Sequence, residues 1–286
     1  MAATGDDTHS MALFCDFENV ALGVRDAKYD KFDIRKVLER LLVKGSIVVK
    51  KAYCDWERYK EFKAAMHEAA FELIEIPHVR MSGKNSADIR IVVDALDLCY
   101  TKSHVDTFVI ISGDSDFSPL VSKLRENNKA VIGVGVKKSS SDLLIANCDE
   151  FIYYDDLVRE EKAKAKRTPR KKAAPKTAAV KTATPQPEAD DRPDHEDKTA
   201  QALDLLIGTY DALVAERGED EKIWGSMIKQ TLKRRHPGFN ESYYGFKSFN
   251  SLLEEAAIRG LLDLKRDEKS GGYIVSAGEH EPLLAD

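Results

Sequence analysis

The residues best suited to chemistry are acids placed where apolar runs stop. Phe108-Val109-Ile110-Ile111 leads directly into Ser112-Gly113-Asp114-Ser115-Asp116-Phe117, so two carboxylates one residue apart stand at the end of a buried strand. Met11-Ala12-Leu13-Phe14-Cys15 likewise runs into Asp16-Phe17-Glu18-Asn19. In an open parallel sheet, ligands collect outside the carboxyl ends of strands where the strand order reverses; in a sheet ordered 3-2-1-4-5 the two strands are neighbours and Asp16 and Asp114 share that crevice. Asp88 is a third contributor, in the polar stretch Gly83-Lys84-Asn85-Ser86-Ala87-Asp88 that opens a helical segment from Ile89 to Cys99. The positive end of the helix dipole favours a carboxylate there. Asp94 lies about 240° further around a regular helix, so it joins Asp88 only if Asp88 is still in the preceding turn. Asp116 begins the next helix and is either a ligand or its N-cap.

Several hard oxygen donors around one pocket suit magnesium or manganese, which favour carboxylates and retained waters over imidazole or thiolate. Phosphate transfer is the natural chemistry, because such a cation binds a phosphoryl oxygen, orients a water and lowers its pKa. Asn19 would hold a ligand carboxylate or a water in place. Ser112 and Ser115 would touch a phosphate, and Lys84 would neutralise charge on the scissile group. Taken singly, an Asp after a strand is commonly a turn or cap residue, so the reading rests on the combination. Asp16 lacks the Asp-x-Asp of haloacid-dehalogenase-like phosphatases, Gly133-Val134-Gly135 lacks the rest of a phosphate loop, and no GxSxG motif occurs.

The elements that must position these acids alternate from Met11 to about Asp156. Strand segments are Ala12 to Cys15, Ile47 to Cys54, Phe71 to Ile76, Phe108 to Ser112, Ala130 to Val136 and Glu150 to Tyr153, several of them rich in β-branched residues. Helical stripes cover Phe32 to Leu42, Tyr59 to Ala70, Ala87 to Cys99, Ser118 to Asn127 and Ser141 to Cys148, with apolar residues at helical spacing. The alternation predicts an α/β fold with a doubly wound, mainly parallel sheet and right-handed crossovers. Glu160 to Lys198 shows no helical or strand period and reads as a flexible charged linker. Beyond it, helical patterns at Thr199 to Glu216, Trp224 to Arg235 and Phe246 to Gly260 precede two strands, Leu261 to Lys265 and Gly272 to Val275. Three helices and a terminal hairpin outline a small winged helix-turn-helix domain. The expected divisions are a disordered N-terminus at 1–10, an α/β domain at 11–158, a linker at 159–198, the small domain at 199–276 and a tail at 277–286.

A length of 286 residues with 43% hydrophobic content supports one or two domains with a proper core. Nothing at the N-terminus resembles a signal peptide and no apolar run is long enough to span a bilayer, so the expected location is cytoplasmic. Cys15, Cys54, Cys99 and Cys148 lie far apart without metal-binding spacing and read as reduced core residues. The net charge of −5 conceals blocks: Arg159 to Lys181 holds ten Lys or Arg against two Glu, whereas Glu188 to Asp197 holds six acids against Arg192. A basic block of this kind is either a solvated linker or an electrostatic tether to phosphates.

Leu13 to Asn19, the Lys84 to Asp94 segment and Ser112 to Phe117 together resemble an NYN domain, the branch of PIN-like nucleases that includes the LabA and DUF88 proteins. The similarity covers roughly Met11 to Asp156. It implies a PIN-like sheet and magnesium- or manganese-dependent RNA cleavage, with Asp16, Asp88, Asp114 and Asp116 in the acidic site. The stretch from Lys84 to Asp88 departs from the Lys-Gly-x-Asp common in that family. Residues Thr199 to Ser276 resemble the LOTUS, or OST-HTH, module, through Trp224 to Lys229, Leu232 to Asn240, Tyr244 to Phe249 and Leu252-Leu253. That resemblance implies binding of G-rich or structured RNA and, in some eukaryotic members, contact with an RNA helicase.

Physically, Lys229 and Lys233 share a helix face, and Arg234, Arg235 and Lys247 add positive charge nearby. Such cations contact phosphates with little sequence choice. Tyr243, Tyr244 or Phe246 would stack on unpaired bases, although Phe239, Phe246, Phe249 and Leu252 also read as core. The leading expectation is a metal-dependent ribonuclease with an RNA-binding C-terminal domain. The alternatives are a catalytically inactive RNA adaptor and a helicase-docking regulatory protein.

Overall fold

A computed structural model of the chain describes residues 9–76, 86–167, 192–218, 221–267 and 271–278. It divides into two compact units, Met1–Arg159 with Lys233–Phe239 and Glu160–Leu232 with Asn240–Asp286. Among the described residues no helix is long and apolar enough to cross a membrane.

In the first unit the strands are β1 (His9–Asp16), β2 (Gly45–Cys54), β3 (Glu72–Glu75), β4 (Thr107–Ile111), β5 (Ala130–Gly135) and β6 (Glu150–Tyr153). They form a six-stranded sheet in the order β3-β2-β1-β4-β5-β6, and every pairing is parallel. Helices α1 (Phe17–Asp26), α2 (Ile34–Leu42), α3 (Lys60–Glu68), α4 (Ser86–Thr101), α5 (Ser118–Glu126) and α6 (Asp142–Asn147) fill the connections, and α7 (Tyr154–Arg167) follows β6, its residues from Glu160 counting with the second unit. A strand buried on both faces needs apolar residues at every position, and β1 meets that demand from Met11 to Cys15. Met11, Leu13 and Cys15 pack into one core layer with Phe17, Val37, Leu41 and Trp56. Ala12 and Phe14 enter the other with Ile91, Ala95, Phe108 and Phe117. The four cysteines are free and buried.

The second unit contains α8 (Arg192–Arg217), α9 (Gly225–Arg235) as far as Leu232, and α10 (Phe249–Ile258), with strands β7 (Ile223–Trp224), β8 (Leu262–Arg266) and β9 (Tyr273–Ala277). The strands form an antiparallel sheet ordered β7-β9-β8. Ser248 and Ser251 form a capping box at the start of α10, satisfying donors that the first helical turn leaves open. Leu203, Leu206, Ile228, Leu232, Phe249, Leu252, Leu253 and Val275 are buried, whereas Phe246 is only partly so.

Two expectations need correction, and one helix was not expected. The segment expected as linker is helical at both described ends, since α7 runs to Arg167 and α8 starts at Arg192. Lys, Ala, Arg and Glu favour helix without supplying an apolar stripe, so periodicity misses them. Residues 168–191 lie outside the described residues. The expected disordered N-terminus yields His9 and Ser10 to β1, which pair with Gly45 and Ser46. Finally, α1 follows β1 with no loop between them, because Asp16 ends the strand and also caps the helix.

Candidate active site

The strand order reverses between β1 and β4, and there the acids collect. Cys15 pairs with Ile111, so Asp16 stands beside Ser112 just past the last rung. Asp16 is 7% exposed. Its Oδ1 accepts from the Asn19 backbone N–H at 3.4 Å and its Oδ2 accepts from Ser112 Oγ at 3.2 Å. Ser112 Oγ in turn accepts from the Asp114 N–H at 3.2 Å. Asn19 Oδ1 accepts from the Gly113 N–H at 2.9 Å, tying the first turn of α1 to the end of β4. Asp114 caps the short 3-10 turn Ser115–Phe117 by accepting from the Asp116 N–H at 3.0 Å. The cap is therefore Asp114, and Asp116 is left exposed on the turn.

Asp88 reaches the same edge from the first turn of α4. Burial raises the Asp16 carboxyl from 3.8 to about 7, reinforced by the charges of Asp88 and Asp114 and opposed by the bonds from Asn19 and Ser112. Burial, Asp114 and Asp116 together raise Asp88 to about 6. Asp16 and Asp88 thus both lie in the field of neighbouring acids. Burial and mutual repulsion are how perturbed carboxylates arise at functional sites.

Asp94 is not brought into this group. Because α4 already starts at Ser86, Asp88 is inside the helix and Asp94 falls on a different face. Asp94 accepts from Tyr53 Oη at 2.8 Å and pairs with Arg90 at 3.0 Å and Lys51 at 3.5 Å. The Arg90–Asp94 spacing of four was the available signal for that role. Ser112 is fully buried with its hydroxyl held between Asp16 and Asp114, so it orients an acid and does not face a substrate. Ser115 is partly exposed in the turn. Lys84 lies outside the described residues.

Sequence reasoning passed over the loop after β5. The Ser141 N–H donates to Gly113 O at 2.9 Å, and a Cβ on Gly113 would lie 2.5 Å from the Ser139 carbonyl oxygen. The close approach of two loops that hold the acid edge explains the glycine. Gly113→Ala must push those backbones apart, with an expected loss of about 1–3 kcal/mol, read as a lower urea midpoint.

In the C-terminal unit, Lys229 pairs with Glu241 at 3.0 Å and lies over the Phe249 ring. Lys233, Arg234 and Arg235 occupy the last turn of α9. Arg234 and Lys247 are exposed, and Tyr244 packs edge-on against Tyr243.

Among the described residues no group of three or more His, Cys, Asp or Glu stands close enough together to hold an ion. The donor set nevertheless fits a hard divalent cation by its chemistry: all four acids offer oxygen, and their repulsion is what a cation would cancel.

Comparison with known proteins agrees with the fold. The chain is 27% identical over 136 residues to an uncharacterized protein of Methanocaldococcus jannaschii, covering 48% of this chain and 51% of that one. It thus spans about half the length of the curated relative it matches. A crystal structure of a protein of unknown function from Vibrio parahaemolyticus is 28% identical, with a TM-score of 0.48 over 55% of this chain and 98% of that one. Residues 10–155, which carry β1 to β6 and the acid edge, match the NYN domain family model, and the chain belongs to that family.

Proposed function

We propose that the chain is a divalent-metal-dependent ribonuclease whose acid edge hydrolyses RNA phosphodiester bonds while its C-terminal unit holds the RNA. The observation that carries this reading is the mutual repulsion of Asp16, Asp88 and Asp114 at the switch point of the sheet. Membership of the NYN family, which points to nuclease chemistry of the PIN-like kind, supports it. Asp16, Asp88 and Asp114 would hold magnesium or manganese, with Asp116 contacting it or its waters. When bound, the ion supplies charge stabilisation at the phosphoryl group and a water of lowered pKa. Ser112 fixes the Asp16 carboxylate, and Asn19 keeps the start of α1 in register with the β4 turn. Ser115 and Lys84 are the candidates for substrate phosphate contact.

The C-terminal unit is read as a winged helix of the LOTUS type, with α9 and α10 followed by the β8–β9 hairpin. Lys229, Lys233, Arg234, Arg235 and Lys247 would meet phosphates, and Tyr244 would stack on an unpaired base. Reversing the charge of the exposed pair, Arg234→Glu with Lys247→Glu, is expected to weaken RNA binding by about tenfold or more and to flatten its salt dependence by roughly two counterions. Anisotropy across a salt series measures both. Retained RNA binding with loss of a helicase partner would assign this surface to docking.

The test of the whole reading incubates labelled single-stranded RNA and G-rich structured RNA with manganese, magnesium or chelator. Cleavage is expected only with metal, and Asp114→Asn should abolish it while binding RNA at least as tightly. Tight binding without cleavage under every condition would make the chain an RNA adaptor instead.

A further inference from the structure

An open cleft of about 720 Å³ runs from the acid edge along the groove between α4 and α5. Its volume lies in the range of small-molecule sites. Asp88 and Asp116 form its end at the acid edge, and its walls are apolar: Ile89, Val92 and Val93 on α4, with Pro119 and Leu143 also lining it. Ile89, Val93 and Leu143 are 62%, 55% and 58% exposed, which is unusual for large aliphatic side chains grouped beside a polar edge. Ser118 and Ser122 add hydroxyls to the lining. Ser118 is only 6% exposed, and among the described residues its Oγ has no hydrogen-bond partner. As it stands that oxygen is closed to solvent; having no partner to lose, it satisfies a ligand by rotating toward the lining.

We propose that this cleft is a subsite for one unpaired nucleobase of the strand being cleaved, with the aliphatic walls covering its faces and Ser118 and Ser122 meeting its polar edge. The inference rests on the nuclease reading, because the shared acids Asp88 and Asp116 make the cleft continuous with the place where the phosphate would lie. A flat ring with polar atoms only at its rim matches apolar walls that carry hydroxyls, and hydroxyls accept either a donor or an acceptor, so the subsite tolerates any base. A paired base is stacked within a duplex and cannot enter, so the nucleotide at the cleavage point must be single-stranded.

The test titrates the full chain, methyl-labelled at Ile, Val and Leu, with adenosine, guanosine, cytidine and uridine in chelator. Saturating shifts are expected at Ile89, Val92, Val93 and Leu143. Ser118→Ala should weaken the binding by about three- to tenfold, and Val93→Asp, at an exposed position, should abolish it. Absence of those shifts, or the same affinity in both variants, overturns the subsite. Shifts of these methyls on concentrating the protein without nucleoside would assign the cleft to a second copy and overturn it too. A second arm compares cleavage of single-stranded RNA with the same strand bearing one abasic ribose at successive positions. Slowing confined to one position relative to the cut supports the subsite. Nucleoside shifts without any cleavage would sink the nuclease reading alone, and cleavage indifferent to every abasic position would sink the subsite alone.

Discussion

Asp16→Asn is expected to make the protein at once less active and more stable. Cleavage should fall by at least about a hundredfold, the scale of losing one group aimed at transition-state charge. Stability should move the other way in chelator. The folded carboxyl titrates near 7 against an ordinary 3.8, so folding favours its protonated form. The stability this contributes is fully present below about pH 4 and is lost as the pH rises through about 7. Asn carries no charge at any pH; its one oxygen can still accept from the Asn19 N–H, and its NH2 then donates to Ser112 Oγ where the second carboxylate oxygen had accepted. At pH 8 the variant should therefore exceed the parent by roughly 1–3 kcal/mol, while at pH 4 the two should converge. Denaturant melts at both pH values measure this, and magnesium or manganese should erase the difference by stabilising only the parent. A variant less stable than the parent at pH 8 in chelator would mean that Asp16 is not held under electrostatic strain.

The largest loss of stability is expected next door, at Phe17→Ala. Phe17 is fully buried, and its ring centroid lies 5.0 Å from Trp56 and Phe62, 5.6 Å from Tyr59 and 5.8 Å from Phe32. Truncation empties the centre of that cluster and should cost about 3–5 kcal/mol, a large part of what a domain of this size has to lose. Urea denaturation measures it, and Phe17→Leu should recover most of the loss. A cost below about 1 kcal/mol would show that the cluster does not anchor α1. Because Phe17 is flanked by Asp16 and Asn19 on the same turn, its replacement should also slow cleavage at temperatures where the chain stays folded.

Much of this was legible in the residues because the central strands carry unbroken apolar runs, Met11 to Cys15 and Phe108 to Ile111, that end on or just before an acid. That pattern located β1, β4 and the neighbourhood of Asp16 and Asp114. That their strands are neighbours was expected only for a sheet ordered 3-2-1-4-5, and the observed order β3-β2-β1-β4-β5-β6 contains it. The helix α1 was not read, although Phe17, Val20 and Val24 carry its buried stripe, because a residue that ends a strand and caps a helix leaves no loop to mark the change. Asp94 was joined to Asp88 only on the condition that Asp88 still lie in the turn before the helix. The helix start at Ser86 separates them, and the polar run before it offers more than one residue able to open a helix, so spacing alone does not fix that start. Ser112 was read as a phosphate contact because a serine beside two acids suits that role equally well. Only its complete burial decides otherwise. The cleft beside α4 was invisible because exposed Ile and Val on a helix carry the same letters as buried ones.

The order β3-β2-β1-β4-β5-β6 also has a consequence in time. The first strand made is an inner strand of the sheet, and its partner on one side, β4, begins only at Thr107. Until β4 docks, Asp16 has no Ser112 to bind, Asn19 has no Gly113, and Asp114 and Asp116 stand apart from Asp16. A chain emerging during synthesis therefore carries these acids with no edge to unite them. Local opening of the β1–β4 seam in the finished protein would return it to that state, so the acid edge is gained or lost as one unit.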